Sequence, residues 1–319
     1  MNRFGFDCDK IIIIESLPDH ERQLLNGKLM SAGEYYIEDL FPYCNQFRTE
    51  PIGFEIIRVD SSAQLFDTLR NICSNTGKLD EIPLIHFEIH GREEQDGITL
   101  KNGDVVMWSD LLDKLTDINE ASANNLFIIF ATCSGAFNLK YIMPRERPFP
   151  YYAAIAPDKP DYPIFLEQKY SLFYIALIID DDIEKAFKEV TNGVGYSQII
   201  PSTCEFYLYE AFNGVVSGLA ANKSDPKTID KFIAMLDREN QDGHIDRDGL
   251  RKMTENILSS ENLGSRTLQR MKDKYLMANH PRNINRFGFT AEELPSLFRS
   301  RSAVTSNKPV HSDAPEGGA

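Results

Sequence analysis

Apolar residues in the first two-thirds of the chain follow two alternating patterns. Short, nearly unbroken apolar runs, the mark of strands buried on both faces, read as Lys10–Ser16 (KIIIIES), Phe54–Val59 (FEIIRV), Pro83–His90 (PLIHFEIH), Leu126–Cys133 (LFIIFATC) and Tyr151–Ala156 (YYAAIA). Helical periods separate them: Ser61 to about Ser74, with Ser61 or Ser62 as N-cap, and Ser109–Ile118, opened by Ser109 before Asp110. Between these helices, ITLKNGDVVMW reads as a hairpin turned at Asn102-Gly103, a pair suited to the positive φ of a type I′ turn. Farther on, Ile164 to about Ile179 and Asp182 to about Val190 read as helices, with Asp182 a helix N-cap, and Cys204–Tyr209 reads as one more strand. Such alternation predicts an α/β fold, a mostly parallel sheet flanked by helices.

After about Ala221 the pattern turns to helices alone. Ile229, Phe232, Ile233 and Leu236 recur at i, i+3, i+4, i+7; Leu250, Met253 and Ile257 repeat the stripe, and Arg266–Met277 reads as a third helix. From Arg301 the chain is Ser, Pro, Gly and Ala without periodicity. These shifts divide it into an α/β domain over 1–221, a C-terminal helical subdomain over 222–300 and a disordered tail over 301–319.

A chain of 319 residues with 42% hydrophobic content has enough apolar surface for a sizeable core. The net charge is −14, and it is unevenly placed: residues 1–221 carry 18 Lys and Arg against 34 Asp and Glu. An acidic domain lacks the basic face that phosphate contacts require, so no direct nucleic-acid partner is expected. The longest purely apolar run, Leu172–Ile179, is too short for a bilayer span, and the first residues lack the apolar core of a signal peptide. A soluble, cytoplasmic protein without a membrane partner is therefore expected. The five cysteines (Cys8, Cys44, Cys73, Cys133, Cys204) are odd in number and lack CxxC spacing, which argues against a disulfide framework or a structural zinc site.

Two strand ends carry the candidate chemistry: IHFEIHGREEQDG and FIIFATCSGA. Ligands of open parallel sheets bind outside the carboxyl ends of the strands, where His90 and Cys133 both fall. If the two strands are neighbours, a thiol and an imidazole converge as nucleophile and base. Gly91 lets the backbone turn and its N–H approach a substrate, and Gly135 does the same after Cys133. A helix beginning near Ser134 would favour the Cys133 thiolate through its N-terminus, and exposed N–H groups there would bind a developing oxyanion.

A strand ending in His-Gly, a hairpin and helix, then a strand ending in Cys followed by Ser-Gly resembles the caspase-like cysteine peptidases of clan CD, above all their CHAT branch. The resemblance covers about residues 8–212 and includes FYIALIIDDDIEKAF, similar to the helix pair that follows the catalytic strands in that branch. It implies an endopeptidase with Cys133 as nucleophile, His90 as general acid and base, and the N–H groups of Gly91 and Cys133 as oxyanion donors. It implies no cofactor or metal, and further implies a prokaryotic protease switched on by a protein partner in antiviral defence. Metacaspase relatives carry an Asp two residues before the nucleophile; Ala131 stands there in this chain. Any acid that selects a basic substrate must come from elsewhere. Glu15, ending the first strand, and Asp158, following the fifth, are the expected substrate-pocket residues for an Arg or Lys before the scissile bond.

Competing readings stand beside these. Cys133 also fits an inert core cysteine, and the fold also fits a catalytically silent interaction module. His86, Glu88 and His90 share one strand face, but residues i and i+4 lie roughly 13 Å apart, too far for one zinc ion. His86 then reads as a hydrogen-bonded, partly buried residue, and Glu88 as pairing with a neighbour or lining the cleft. RENQDGHIDRDG (238–249) resembles a calcium loop, the basis of a third reading as a calcium-responsive scaffold, yet Arg238 and Gly249 stand where the end ligands belong. The acidic runs Asp180–Asp182 and Glu93–Glu94 read as solvated faces. Asn-Arg-Phe-Gly-Phe occurs twice, at 2–6 and 285–289. The second copy is a candidate regulatory contact, its Arg286 a substrate-like brake on the acidic cleft.

Overall fold

A computed structural model describes residues 8–21, 23–25, 27–79, 81–142, 147–192, 195–222 and 263–293, with 230, 233–234, 248–249 and 252 besides. In chain order the strands are β1 (Lys10–Ser16), β2 (Gln23–Leu25), β3 (Lys28–Met30), β4 (Gly53–Arg58), β5 (Pro83–Gly91), β6 (Gly97–Thr99), β7 (Val105–Met107), β8 (Phe127–Phe130), β9 (Ala153–Pro157) and β10 (Ile199–Thr203). The helices are α1 (Ala32–Tyr35), α2 (Phe41–Asn45), α3 (Ser62–Leu79), α4 (Trp108–Ala121), α5 (Pro163–Ile179), α6 (Ile183–Thr191), α7 (Cys204–Asn222) and α8 (Leu263–Tyr275). A π turn over Tyr36–Leu40 joins α1 to α2, and a 3-10 helix spans Gly135–Tyr141.

The main sheet has the order β10-β9-β8-β5-β1-β4. Strands β1, β4, β5, β8 and β9 run parallel, and β10 pairs antiparallel with β9. Strand β1 shows why its sequence is a solid apolar run: Ile11 and Ile13 enter the core beneath α1, α2, α5 and α6, while Ile12 and Ile14 enter the opposite core beneath α3 and α4. A central parallel strand must be apolar on both faces because helices cover both. The α/β architecture expected from the alternation is the one observed.

Local differences have identifiable causes. Strand β8 stops at Phe130, so Cys133 lies in the turn beyond it. The segment from Cys204 begins α7 instead of forming a strand; Cys204, Leu208 and Phe212 are buried at i, i+4, i+8, a helical period, and the last strand is the preceding Ile199–Thr203. Helix α4 starts at Trp108, with Met107 as N-cap and Ser109 already inside, because the indole N–H donates to the Gln95 carbonyl at 3.1 Å and fixes the entry. The β6–β7 turn closes from the Gly103 N–H to the Leu100 carbonyl at 2.8 Å, with Lys101 and Asn102 at its corner. Positive φ falls on Gly103 alone in this turn (+90°), the bulged three-residue form and not the type I′ turn. Ser61 accepts from the Gln64 N–H, and Asp182 from the Lys185 N–H, so both cap their helices as expected.

The described part of the C-terminal region shares the core of the α/β unit. Leu268, Leu276, Ala278 and Phe287 belong to the same apolar cluster as Ile11, Phe127 and Phe173. Arg286 Nη1 donates to the Asn124 carbonyl at 3.0 Å and its guanidinium lies 3.7 Å from the Tyr152 ring centroid. Asn124 precedes β8 and Tyr152 precedes β9, which places Arg286 at the amino edge of the sheet. The expectation of Arg286 as a brake on the cleft is thereby corrected: Cys133 leaves the other end of β8. The first Asn-Arg-Phe-Gly-Phe copy, most of the calcium-like loop and the tail lie outside the described residues, as do most positions of the first two C-terminal apolar stripes.

Phe287 is 1% exposed, so Phe287→Ala is expected to lower unfolding free energy by about 3–5 kcal/mol, measured by urea denaturation. A chain ended at Ala221 is expected to be insoluble. A soluble fragment melting cooperatively would show instead that residues 263–293 only cover a core already complete.

Candidate active site

The helices that follow β1 and β5 go to opposite faces of the sheet, α1 and α2 to one and α4 to the other. A crevice must therefore open at the carboxyl edge between these adjacent strands, the usual ligand position in such sheets. His90 stands at the end of β5. Across the crevice, the 3-10 turn Asp19–Glu21 that follows β1 brings Glu21 Oε1 to 3.0 Å from His90 Nε2. A carboxylate only accepts, so Nε2 carries the proton it donates and Nδ1 is the nitrogen left to accept one.

Strand β8 is the other neighbour of β5, and its exit loop meets the β5 exit loop backbone to backbone. A Cβ built on Gly91 would lie 2.0 Å from the Cys133 carbonyl oxygen and 3.0 Å from its carbonyl carbon. No other residue type fits at 91 without moving one of the two loops. The Cys133 turn closes with the Gly135 N–H donating to the Thr132 carbonyl at 2.9 Å, and Ser134 takes the left-handed region (φ 57°, ψ 27°). A non-glycine residue held there costs on the order of 1–3 kcal/mol, which the surroundings must impose. Asn138 does so from the next turn: its amide donates to the Gly135 carbonyl at 2.6 Å, and its oxygen accepts from the Tyr151 hydroxyl at 2.7 Å.

The Cys133 thiol is half-buried, and burial pushes its pKa up. The main-chain N–H of Asp161 donates toward the sulfur and opposes this, whereas the charges of Glu21 and Asp161 add to the rise. A helix does begin just after Ser134, as a 3-10 helix over Gly135–Tyr141, and the Cys133 N–H also opposes the rise, but burial outweighs these and keeps the thiol pKa above its ordinary value.

Glu15 and Asp158, the expected pocket acids, have internal partners. Glu15 is 6% exposed and accepts from Arg58 Nε at 2.9 Å; Arg58 also bonds Glu34 at 2.6 Å. Asp158 Oδ1 accepts from the Gln198 N–H at 2.8 Å and ties the end of β9 to β10. Both expected pocket acids are thus engaged within the fold, Glu15 by the Arg58 side chain and Asp158 by a main-chain N–H. His86 is fully buried, its Nδ1 2.6 Å from the Tyr174 hydroxyl and its Nε2 3.0 Å from Glu88 Oε1. Burial, and then the Glu88 charge, raise the Tyr36, Tyr170 and Tyr174 hydroxyls well above their usual range, so an acidic, aromatic floor lies under the crevice.

Sequence reasoning missed Glu21, Asp161 and Lys169. Glu21 and Asp161 lie in loops after β1 and β9, where the rule that ligands gather at carboxyl ends already pointed; their acidity is the signal. Lys169 is 1% exposed in α5 and gave no sign in the sequence, because it stands in the polar stretch Glu167–Ser171 (EQKYS). Among the described residues, no group of three or more His, Cys, Asp and Glu side chains is placed to hold a metal ion, and no helix is long and apolar enough to cross a membrane.

No family model matches the chain, and no curated protein matches it. Among solved structures it is similar to Raptor from Chaetomium thermophilum, at 12% identity and a TM-score of 0.32 over 99% of this chain. The chain spans 30% of that protein's length, and a likeness of this size identifies neither fold nor activity.

Glu21→Gln is expected to split two readouts. Removing its charge lowers the Cys133 pKa, so alkylation by iodoacetamide at neutral pH speeds up, while loss of the His90 partner slows any reaction that needs the imidazole. Parallel changes in both rates would refute this assignment.

Proposed function

We propose that the protein is a cysteine endopeptidase using Cys133 and His90. The observation that carries the reading is the contact of Gly91 with the Cys133 backbone, which places the His-Gly and Cys-Ser-Gly loops on one edge of the sheet. In this reading His90 Nδ1 takes the thiol proton as Sγ attacks the scissile carbonyl carbon, and the Gly91 and Cys133 N–H groups receive the oxyanion. The imidazolium, held by Glu21, then protonates the leaving amine, and a thioester on Cys133 remains. His90 next deprotonates a water that attacks the thioester, and the thiolate recovers the proton as the acid product leaves. A resting protonated thiol suits this sequence, because substrate binding and His90 together complete the nucleophile.

Activation by a protein partner and a place in prokaryotic antiviral defence belong to the same proposal through the family resemblance, and cleavage after a basic residue belongs to it through charge. The net charge of −14 supports a basic preference, although Glu15 and Asp158 are occupied by Arg58 and Gln198. A catalytically silent interaction module is the second reading, favoured by the half-buried, protonated sulfur.

Incubating the chain with a proteome-derived peptide library tests the first reading. Cys133→Ala and His90→Ala are each expected to abolish cleavage, and the double variant to be no worse, because the pair acts as a unit. Cys73→Ala and Cys204→Ala are expected to keep wild-type cleavage. Cleavage by Cys133→Ala would overturn the assignment, and a folded wild type that cleaves nothing and resists alkylation at Cys133 would favour the silent module.

A further inference from the structure

Beyond Ile89, strand β5 loses the two neighbours that hold the rest of it. Its ladder with β1 ends where Ser16 faces Ile89, and its ladder with β8 ends where Phe130 faces Phe87. His90 and Gly91 pair instead with β6, antiparallel, His90 opposite Thr99 and Gly91 opposite Ile98. The β6–β7 hairpin is therefore the ladder that sets the main chain of His90, and a two-stranded hairpin is marginal by itself. Whatever fixes the hairpin also fixes the imidazole.

The tip of the hairpin, residues 100–104, is tied at three places. The Lys101 N–H donates to Ser16 Oγ at 2.9 Å, and Ser16, the last residue of β1, is 1% exposed. The Asn102 N–H donates to the Asp60 carbonyl just after β4, at 3.1 Å, and Asp104 Oδ2 accepts from the Ser62 N–H and hydroxyl at the start of α3, both at 2.9 Å. The side chain of Lys101 reaches in another direction: its Nζ lies 3.1 Å from Asp19 Oδ1. Asp19 opens the 3-10 turn that carries Glu21, a turn closed by the Glu21 N–H donating to the Pro18 carbonyl at 3.0 Å. Glu21 Oε1 in turn stands 3.0 Å from His90 Nε2. Hydrogen bonds from one residue thus support both members of the pair.

We propose that Lys101 is a positioning residue for the His90–Glu21 pair: its N–H holds the hairpin beside His90 to the end of β1, and its ammonium holds the turn that carries Glu21 to the same tip. The proposal rests on the reading of His90 as general acid and base. The Lys101–Asp19 pair has side-chain exposures of 37% and 82%, so it contributes little to stability, and its effect is on alignment.

The test is the rate at which diethyl pyrocarbonate modifies His90 at pH 7, read on its own peptide by mass spectrometry in the full chain. His20, whose Nε2 lies 4.0 Å from the same Glu21 oxygen, is read separately, and His280, at the opposite edge of the sheet, is the internal reference. Glu21→Ala frees Nε2 and is expected to speed modification of His90. Lys101→Met is expected to act in the same direction by up to about fivefold, the ceiling an exposed ion pair sets, with an unchanged melting temperature. Ser16→Ala, which removes the acceptor of the Lys101 N–H, is expected to do likewise. The double variant Lys101→Met with Glu21→Ala is expected to match Glu21→Ala alone, because Lys101 acts only through the pair. Lys114→Met removes an ammonium of the same 37% exposure from α4 and is expected to leave His90 at the wild-type rate. A wild-type rate in Lys101→Met overturns the proposal, as do effects of Lys101 and Glu21 that multiply, or an equal change at His280. If Ser16→Ala does not fold, Lys101→Met and its double variant decide. Cleavage is not part of the readout: a wild type that cleaves nothing defeats the peptidase reading, while the modification rates still judge the positioning.

Discussion

The contact between Gly91 and the Cys133 backbone depends on β5 and β8 being adjacent and parallel. Parallel neighbours deliver their exit loops to the same edge, and the missing Cβ lets the two main chains meet at a separation no side chain tolerates. Everything at the site is referred to this contact. It seats the Cys133 backbone against the end of β5, beside the tight Thr132–Gly135 turn in which Ser134 is left-handed and Asn138 braces the following residue.

Acidity in the α/β unit is distributed with local balance around this point. Glu15 is met by Arg58 and Asp161 by Lys169, while Glu21 accepts from His90, each bridging separate elements of the fold. The least exposed of these, Asp161, keeps its carboxyl well below the usual carboxylate range: burial opposes ionisation, but the Ser197 N–H and hydroxyl, the Tyr196 N–H and Lys169 outweigh it. A depressed native pKa stabilises the fold at neutral pH, and that contribution is lost progressively as pH falls from the ordinary carboxylate value through the depressed one. The exposed rim, in contrast, carries Glu21 and His90, which remain open to solvent and to a reacting partner.

Residues 263–293 serve the opposite edge. Asn283 donates to the Ala123 carbonyl at 2.8 Å, Asn124 to the Leu276 carbonyl at 3.1 Å, and Arg286 lies on Tyr152. The Asn283 bond satisfies a carbonyl where the chain enters β8 and the Asn124 bond one just after α8, while Phe287 fills the core beside them. The proposed site at one edge and the C-terminal anchoring at the other are thus separated by the length of the strands.

The sequence by itself determined the buried strands, because a run such as IIII must be covered on both faces, and it marked the two loops that meet, because His-Gly closes β5 and Cys-Ser-Gly follows soon after β8. It also carried the caps at Ser61 and Asp182, which depend on bonds three residues away. Only the tertiary structure decided which acids face the thiol. Glu15 ends a strand as the edge rule requires, but side-chain alternation turns it into the sheet face, where Arg58 of the next strand reaches it. Glu21 and Asp161 sit in loops whose path is set by packing between elements far apart in sequence. Lys169 stands among polar neighbours (EQKYS) and marked nothing until Asp161 and Ser197 were placed beside it. The helical start at Cys204 was hidden for the same reason: a short apolar stretch fits either period, and its burial against the core selects the helix.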